Sequence, residues 1–207
     1  MRRLILLLLR AALLLSTTAV APSLMAESLL PAHDPARSIL LSGFAVNKPE
    51  QLSDIDDIAQ GLSHEIARRL RQSQQFEVRT MPELLSFNWQ LQAPPARLLT
   101  QLGLDYGARY LITGEIRNAG IRNVPQLFGL WSKPSRSIEV EMYVYDAPAG
   151  NLLGRFEFSA SADGDVHIGR EHVFGGVGFR ATRFGQAIES LVDEAAQTIA
   201  SQLLMRP

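Results

Sequence analysis

Nine residues, Ser38-Ile39-Leu40-Leu41-Ser42-Gly43-Phe44-Ala45-Val46, run without a charged side chain. A run this short and this apolar suits a strand buried on both faces. Such a strand cannot stand alone; it calls for a sheet with other elements packed on it. The hydrophobic period then changes. Ile55, Ile58, Ala59, Leu62, Ile66 and Leu70 recur at three- and four-residue spacing, which predicts an amphipathic helix of about five turns. Ser53 with Asp56 three residues on resembles a capping box at its start. Arg68, Arg69 and Arg71 fall on its far face. Phe76-Glu77-Val78-Arg79-Thr80 alternates like a half-buried strand.

Pro82 opens a less regular stretch that ends in Ala93-Pro94-Pro95. Ala96 to Leu104 reads as a short helix, stopped near Gly103 or Gly107. Ala108 to Arg117 reads as a strand. Asn118 to Arg136, with its glycines, prolines and the aromatics Phe128 and Trp131, reads as a long loop or an insertion between strands. Ile138, Val140, Met142 and Val144 then alternate with Glu139, Glu141, Tyr143 and Tyr145, the clearest strand pattern in the chain. Asp146 to Asn151 supplies turn residues. Leu152 to Ser161 returns as a hairpin partner, with Leu153, Arg155, Glu157, Ser159 and Ser161 on one side. Gly164 to Gly178 is glycine-rich and irregular. A final helix of about Arg183 to Leu204 carries the stripe Phe184, Ile188, Leu191, Val192, Ala195, Ile199, Ala200 and Leu203. The order is β-α-β-α-β-β-β-α. The expected fold is a single α/β (α+β) domain, a mixed sheet of about five strands with helices packed on it.

The N-terminus sets the compartment. Met1-Arg2-Arg3 precedes apolar runs of six residues (Leu4 to Leu9) and five (Ala11 to Leu15), broken by Arg10. Polar and small residues follow. This is the pattern of a secretory signal peptide over residues 1–26, and the runs are too short to span a bilayer. Cleavage is expected after Ala21 or Ala26, followed by a flexible segment over 27–37 and a domain over 38–207. The net charge of −1 and the absence of cysteine narrow the chemistry. They argue against nucleic acid as a partner and against disulfides, thiolate metal sites or an acylated cysteine. No later segment approaches membrane length.

Little in the chain points to catalysis. His167 and His172 share a loop with Asp163, Asp165 and Glu171, a set that could offer ligands to a divalent metal. Loops also collect such residues for turn chemistry alone, and the spacing fits no particular metal site. His64 reads as a boundary residue of the first helix, and His33 lies in the lead-in. No nucleophile elbow, phosphate loop or dinucleotide fingerprint is present. Glu139 and Glu141 share a strand face with Tyr143 and Tyr145. Paired carboxylates can do acid–base work, but this face reads as a solvated or partner-contacting one, or as one covered by the chain's own loop. Phe128 and Trp131 are the other partner-binding candidates, since large aromatics in a loop mark docking sites when they are not buried. No cofactor, metal or catalytic residue is assigned.

Several segments, taken in order, resemble the middle domain of the flagellar assembly protein T family. Leu40 to Asn47 resembles its opening strand. Tyr110-Leu111-Ile112-Thr113-Gly114-Glu115-Ile116-Arg117 matches its pattern of apolar strand, glycine and apolar-Arg. The hairpin around Val144-Tyr145-Asp146 and Gly150 fits, as does Val177-Gly178-Phe179 leading through Phe184-Gly185-Gln186-Ala187-Ile188 into the last helix. The likeness covers roughly residues 38 to 204.

The resemblance implies a fold similar to the N-terminal domain of TolB. It also implies a non-catalytic part in building the ring around the flagellar basal body, in the periplasm of a Gram-negative cell. Partners would be basal-body or envelope proteins, and a ring-type homo-oligomer fits that role. The full flagellar protein has flanking domains, and this chain is expected to have room for neither. Two readings stay open beside it: a binding module of another envelope complex, such as a peptidoglycan synthase or a secretion channel, and a metal-dependent hydrolase using the Asp163 to His172 loop.

Overall fold

A computed structural model describes residues 35–55, 57–85, 89, 92–164, 168 and 173–206. The segments expected to be a signal peptide and its flexible lead-in, including His33, lie outside the described residues up to 34. Five strands form one mixed sheet: β1 (Ser38–Val46), β2 (Glu77–Leu85), β3 (Tyr110–Gln126), β4 (Trp131–Asp146) and β5 (Asn151–Asp163). The spatial order is β2-β1-β3-β4-β5. β1 pairs parallel with β2 and β3, whereas β3, β4 and β5 pair antiparallel. The parallel connections pass through α1 (Ile58–Gln72) and α2 (Ala96–Tyr106). A short α3 (Val177–Ala181) precedes the long α4 (Arg183–Leu204). This is the expected order, and α4 begins and ends where its apolar stripe predicts.

The charge-free run explains why β1 lies inside the sheet. Its first eight residues are buried. Ile39, Leu41 and Phe44 face the larger core, with Leu62 and Ile66 of α1 and Ile188, Val192 and Ile199 of α4. Leu40 faces a smaller core with Leu99 and Leu102 of α2, Leu111, Tyr143 and Tyr145. A side chain buried this way contributes about 1.5–3 kcal/mol, so a strand apolar on both faces is worth most in the centre. The outer faces of α1 and α4 are tied by Arg69, which sits 2.5 Å from Glu189 and 2.7 Å from Asp193.

Several local expectations change. The first concerns the start of α1. Ser53 ends a 3-10 turn (Pro49–Leu52), and α1 begins only at Ile58, after Asp57 in a left-handed conformation with no side-chain cap. Asp56 lies outside the described residues. A cap does form on α4, where the Thr182 hydroxyl accepts from Gly185 N at 2.9 Å. A Cβ on Gly185 would stand 1.9 Å from the Phe179 carbonyl oxygen, so only glycine lets the two helices meet there.

Second, β2 runs on past Pro82 to Leu85. The register jumps from Ser42↔Met81 to Gly43↔Leu85. The proline therefore sits in a bulge of an edge strand, where no ladder donor is needed. Third, Asn118 to Arg136 is not a loop: β3 and β4 stay paired through it down to Gln126↔Trp131. In β5 a bulge between Val144↔Gly154 and Tyr145↔Leu152 turns Leu153 toward the larger core, away from Arg155 and Glu157. Of the glycine-rich stretch, residues 165–167 and 169–172 lie outside the described residues, and its end forms α3.

Candidate partner-binding site

The last paired residues of the neighbouring strands show where the arm begins. β1 stops at Val46↔Ile116 and β5 stops at Ser135↔Asp163. Beyond them β3 and β4 continue as a two-stranded ribbon, residues 122–126 against 131–135. Pro125 and Pro134 fit because every second N–H of such a ribbon points outward. The ribbon closes through a 3-10 turn (Leu127–Gly129) in which Leu127 (φ 42°) and Phe128 (φ 58°) take left-handed conformations. Bulky side chains adopt that region at a cost. At the tip the apolar side chains are bare: Phe128 is 107% exposed, Leu130 81%, Trp131 57% and Leu127 55%. A contiguous bare patch of this kind is characteristic of binding surfaces.

An isolated two-stranded ribbon is marginal in water, and this one is held at its base. The Arg136 side chain is 1% exposed and donates two hydrogen bonds to the Asp54 carboxylate, at 2.6 and 2.7 Å. Its guanidinium lies 4.7 Å from the centre of the Phe184 ring, a cation–π contact. Burial alone would raise the Asp54 carboxyl; the hydrogen bonds and charge of Arg136 outweigh it and hold the group below its ordinary value. Around this pair, Gln51 Oε1 accepts from Ala119 N at 2.8 Å. Lys48 donates to Asn118, which donates to Glu139, each at 2.5 Å. Lys133 stands 3.6 Å from Asp163.

The four residues expected to contact partners thus part company. Phe128 and Trp131 are exposed together at the arm tip. Tyr143 and Tyr145 are each 3% exposed, covered by α2 and by Trp89, the alternative in which the chain's own segment closes that face. Their rings stack at 6.5 Å, and Trp89 meets Tyr145 edge-on at 5.9 Å. Burial first, and the Glu115 carboxylate second, push both phenols up to about 12.

Glu139 is exposed, but Glu141 is buried, held by Arg117 at 2.9 Å and by Arg155. Its carboxylate is thus tied into a buried ion-pair cluster. His64 is exposed on α1. His167 and His172, with Asp165 and Glu171, lie outside the described residues. Among the described residues no cluster of three metal-ligating side chains occurs.

A second feature has no local sequence signature. At the far end of the sheet, where β1 and β3 begin, a cleft of about 910 Å³ opens between α2 and the end of α4. Phe76, Leu104, Tyr110 and Leu204 line it, with Arg37 and Arg109 beside them. Leu104 is 79% exposed, and Arg109 is 2.9 Å from Asp146.

The sequence profile of the flagellar assembly protein T middle domain matches residues 32–172, a span that holds all five strands. The chain belongs to the flagellar assembly protein T family. Its fold is shared by the hypothetical protein CT253 from Chlamydia trachomatis. The two superpose with a TM-score of 0.61 at 18% identity, over 80% of this chain and 96% of that one. Protein XCC0632 from Xanthomonas campestris aligns with a TM-score of 0.50 at 10% identity, over 83% of this chain and 90% of that one. At such identities the likeness concerns the fold alone. No curated protein matches the chain. In this flagellar assembly protein T relative, α4 lies beyond the matched span, yet it supplies much of the larger core. No described helix is long and apolar enough to cross a membrane.

Proposed function

We propose that this member of the flagellar assembly protein T family is a non-catalytic assembly or structural factor of the ring around the flagellar basal body. It is exported to the periplasm of a Gram-negative cell and acts through protein–protein contacts. The observation that supports this reading most is the arm. A two-stranded ribbon, clamped at its base by Arg136 and Asp54, presents Phe128 and Trp131 bare to solvent. Large aromatics of that kind supply most of the energy at protein interfaces. The carboxylates that could have served acid–base chemistry are instead buried against arginines or exposed on the ribbon's flank.

The test is a photo-crosslinking side chain at position 131 in living cells. Flagellar basal-body proteins should be captured, and Phe128→Ala with Trp131→Ala should reduce swimming while cell-envelope integrity stays normal. Capture of a peptidoglycan synthase or a secretion-channel component, with normal swimming, would move the protein to another envelope complex. Retention of the chain in the cytosol after fractionation would end the reading.

A further inference from the structure

The arm tip and the cleft are exposed apolar features that lie at opposite ends of the same strand. The cleft is lined by Tyr110, where β3 starts; the tip follows Gln126, where β3 ends. β3 holds 17 residues. At about 3.3 Å per residue it is up to about 56 Å long. The unsupported ribbon beyond Ile121 is about 17 Å by the same measure. It cannot fold back into its own cleft, so the two features can meet only between molecules.

We infer that the tip of one copy docks into the cleft of a second copy. This deepens the proposed function, on which it rests, by naming a partner for Phe128 and Trp131. The sizes agree. An aromatic side chain removes about 150–250 Å² from water when it is buried, and the cleft of about 910 Å³ has room for such a ring.

The chemistry agrees as well. The cleft pairs apolar walls, Phe76, Leu104 and Leu204, with the guanidiniums of Arg37 and Arg109. Arginine binds well to the face of an indole or phenyl ring. The tip itself, Leu127 to Trp131, has no charge to oppose those arginines. Tip and cleft are different surfaces, so the contact is head-to-tail. Each copy then uses one tip and one cleft, and repetition yields a closed ring or an open filament rather than a two-fold dimer.

The chain has no cysteine, which makes a clean test available. Phe128→Cys and Leu104→Cys alter residues 107% and 79% exposed, so neither should disturb folding. Purified full chains carrying one change each are mixed and oxidised. The mixed disulfide should form at least about tenfold faster than that between Phe128→Cys and Glu157→Cys, a control on the exposed flank of β5, a margin of about 1.4 kcal/mol. A chain carrying both Phe128→Cys and Leu104→Cys should give a ladder of higher oligomers. Equal rates for the two pairs, or predominance of the Phe128→Cys homodimer, would overturn the inference.

Two cell-based results separate this from the parent reading. If Phe128→Ala with Trp131→Ala abolishes swimming while Leu104→Arg does not, and the disulfide fails to form, the tip serves another protein: the inference falls and the proposed function stands. If the disulfide forms but the probe at position 131 captures no basal-body protein, the self-contact stands and the flagellar role falls.

Discussion

β3 and β4 contain two regions with the same backbone ladder and opposite surroundings. Over residues 110–116 and 140–146 every residue is buried, with the larger core on one face and α2 or a compensated polar cluster on the other. Over residues 121–126 and 131–134 the same two strands pair in the sheet only with each other, and most of their side chains face water. Pairing of backbone hydrogen bonds is therefore not what separates body from arm. The difference is whether a third strand and a helix lie alongside. The body half derives stability from burial; the arm half costs stability and is kept in place by the contacts at its root. Evolution of a bare aromatic tip on such a ribbon makes physical sense if the tip is used.

Substitutions in the two halves should have very different consequences. The largest effect is expected in the body. Ile112 is fully buried in β3 between Leu41 and Val144. Ile112→Ala should cost about 2–5 kcal/mol, read as a lower denaturation midpoint with an unchanged slope in urea. A loss under 1 kcal/mol would mean that the body half is not the stabilising region.

The root of the arm should come next. Arg136→Ala removes the partner of Asp54 and the cation above Phe184. Removing one member of a fully buried pair costs about 3–5 kcal/mol. The Asp54 side chain is 35% exposed and can recover water, so about 1–3 kcal/mol is expected by equilibrium unfolding. Hydrogen exchange should also accelerate selectively in residues 118–136 if this pair is the clamp.

Acid and alkali probe the two regions separately. Asp54 titrates below its unfolded value of 3.8 in the folded protein. Its contribution is present above that value and is lost as pH falls through the lower, folded one. Arg136→Ala should therefore flatten the acid limb of the stability–pH curve. Tyr143 and Tyr145 are raised from 10.0 to about 12. Their contribution is present below pH 10 and is lost as pH rises toward 12. The alkaline limb should survive Arg136→Ala unchanged, and ultraviolet titration should show Tyr143 and Tyr145 ionising late.

The smallest effect is expected at the tip. Phe128→Ala removes a side chain that touches little of its own molecule, so stability should shift by less than about 0.5 kcal/mol. The midpoint of thermal unfolding tests this. A large drop would show that the ring supports the ribbon rather than a partner.

Hydrophobic period is a local property, and what depends on it could be read directly from the residues. The charge-free run of β1, the stripe of α4 from Phe184 to Leu203 and the alternation from Ile138 to Val144 each announce an element and its buried face. With the shorter patterns at 55–70, 76–80, 96–104, 108–117 and 152–161 they mark five strands, three long helices and their order. Other features depend on what lies across space. The segment from Asn118 to Arg136 has turn-rich composition, and only the pairing of two distant stretches makes it a ribbon. Tyr143 and Glu141 continue the alternation of a solvated face until α2 and two arginines cover them. Arg136 has the composition of a surface residue and ends up inside because Asp54 and Phe184 arrive from elsewhere in the chain. The cleft has no local signature because the beginning of β3 and the end of α4 become neighbours only in the folded chain. Burial of a charge and the shape of a surface are set by contacts between remote segments, and those exist only once the sheet has formed.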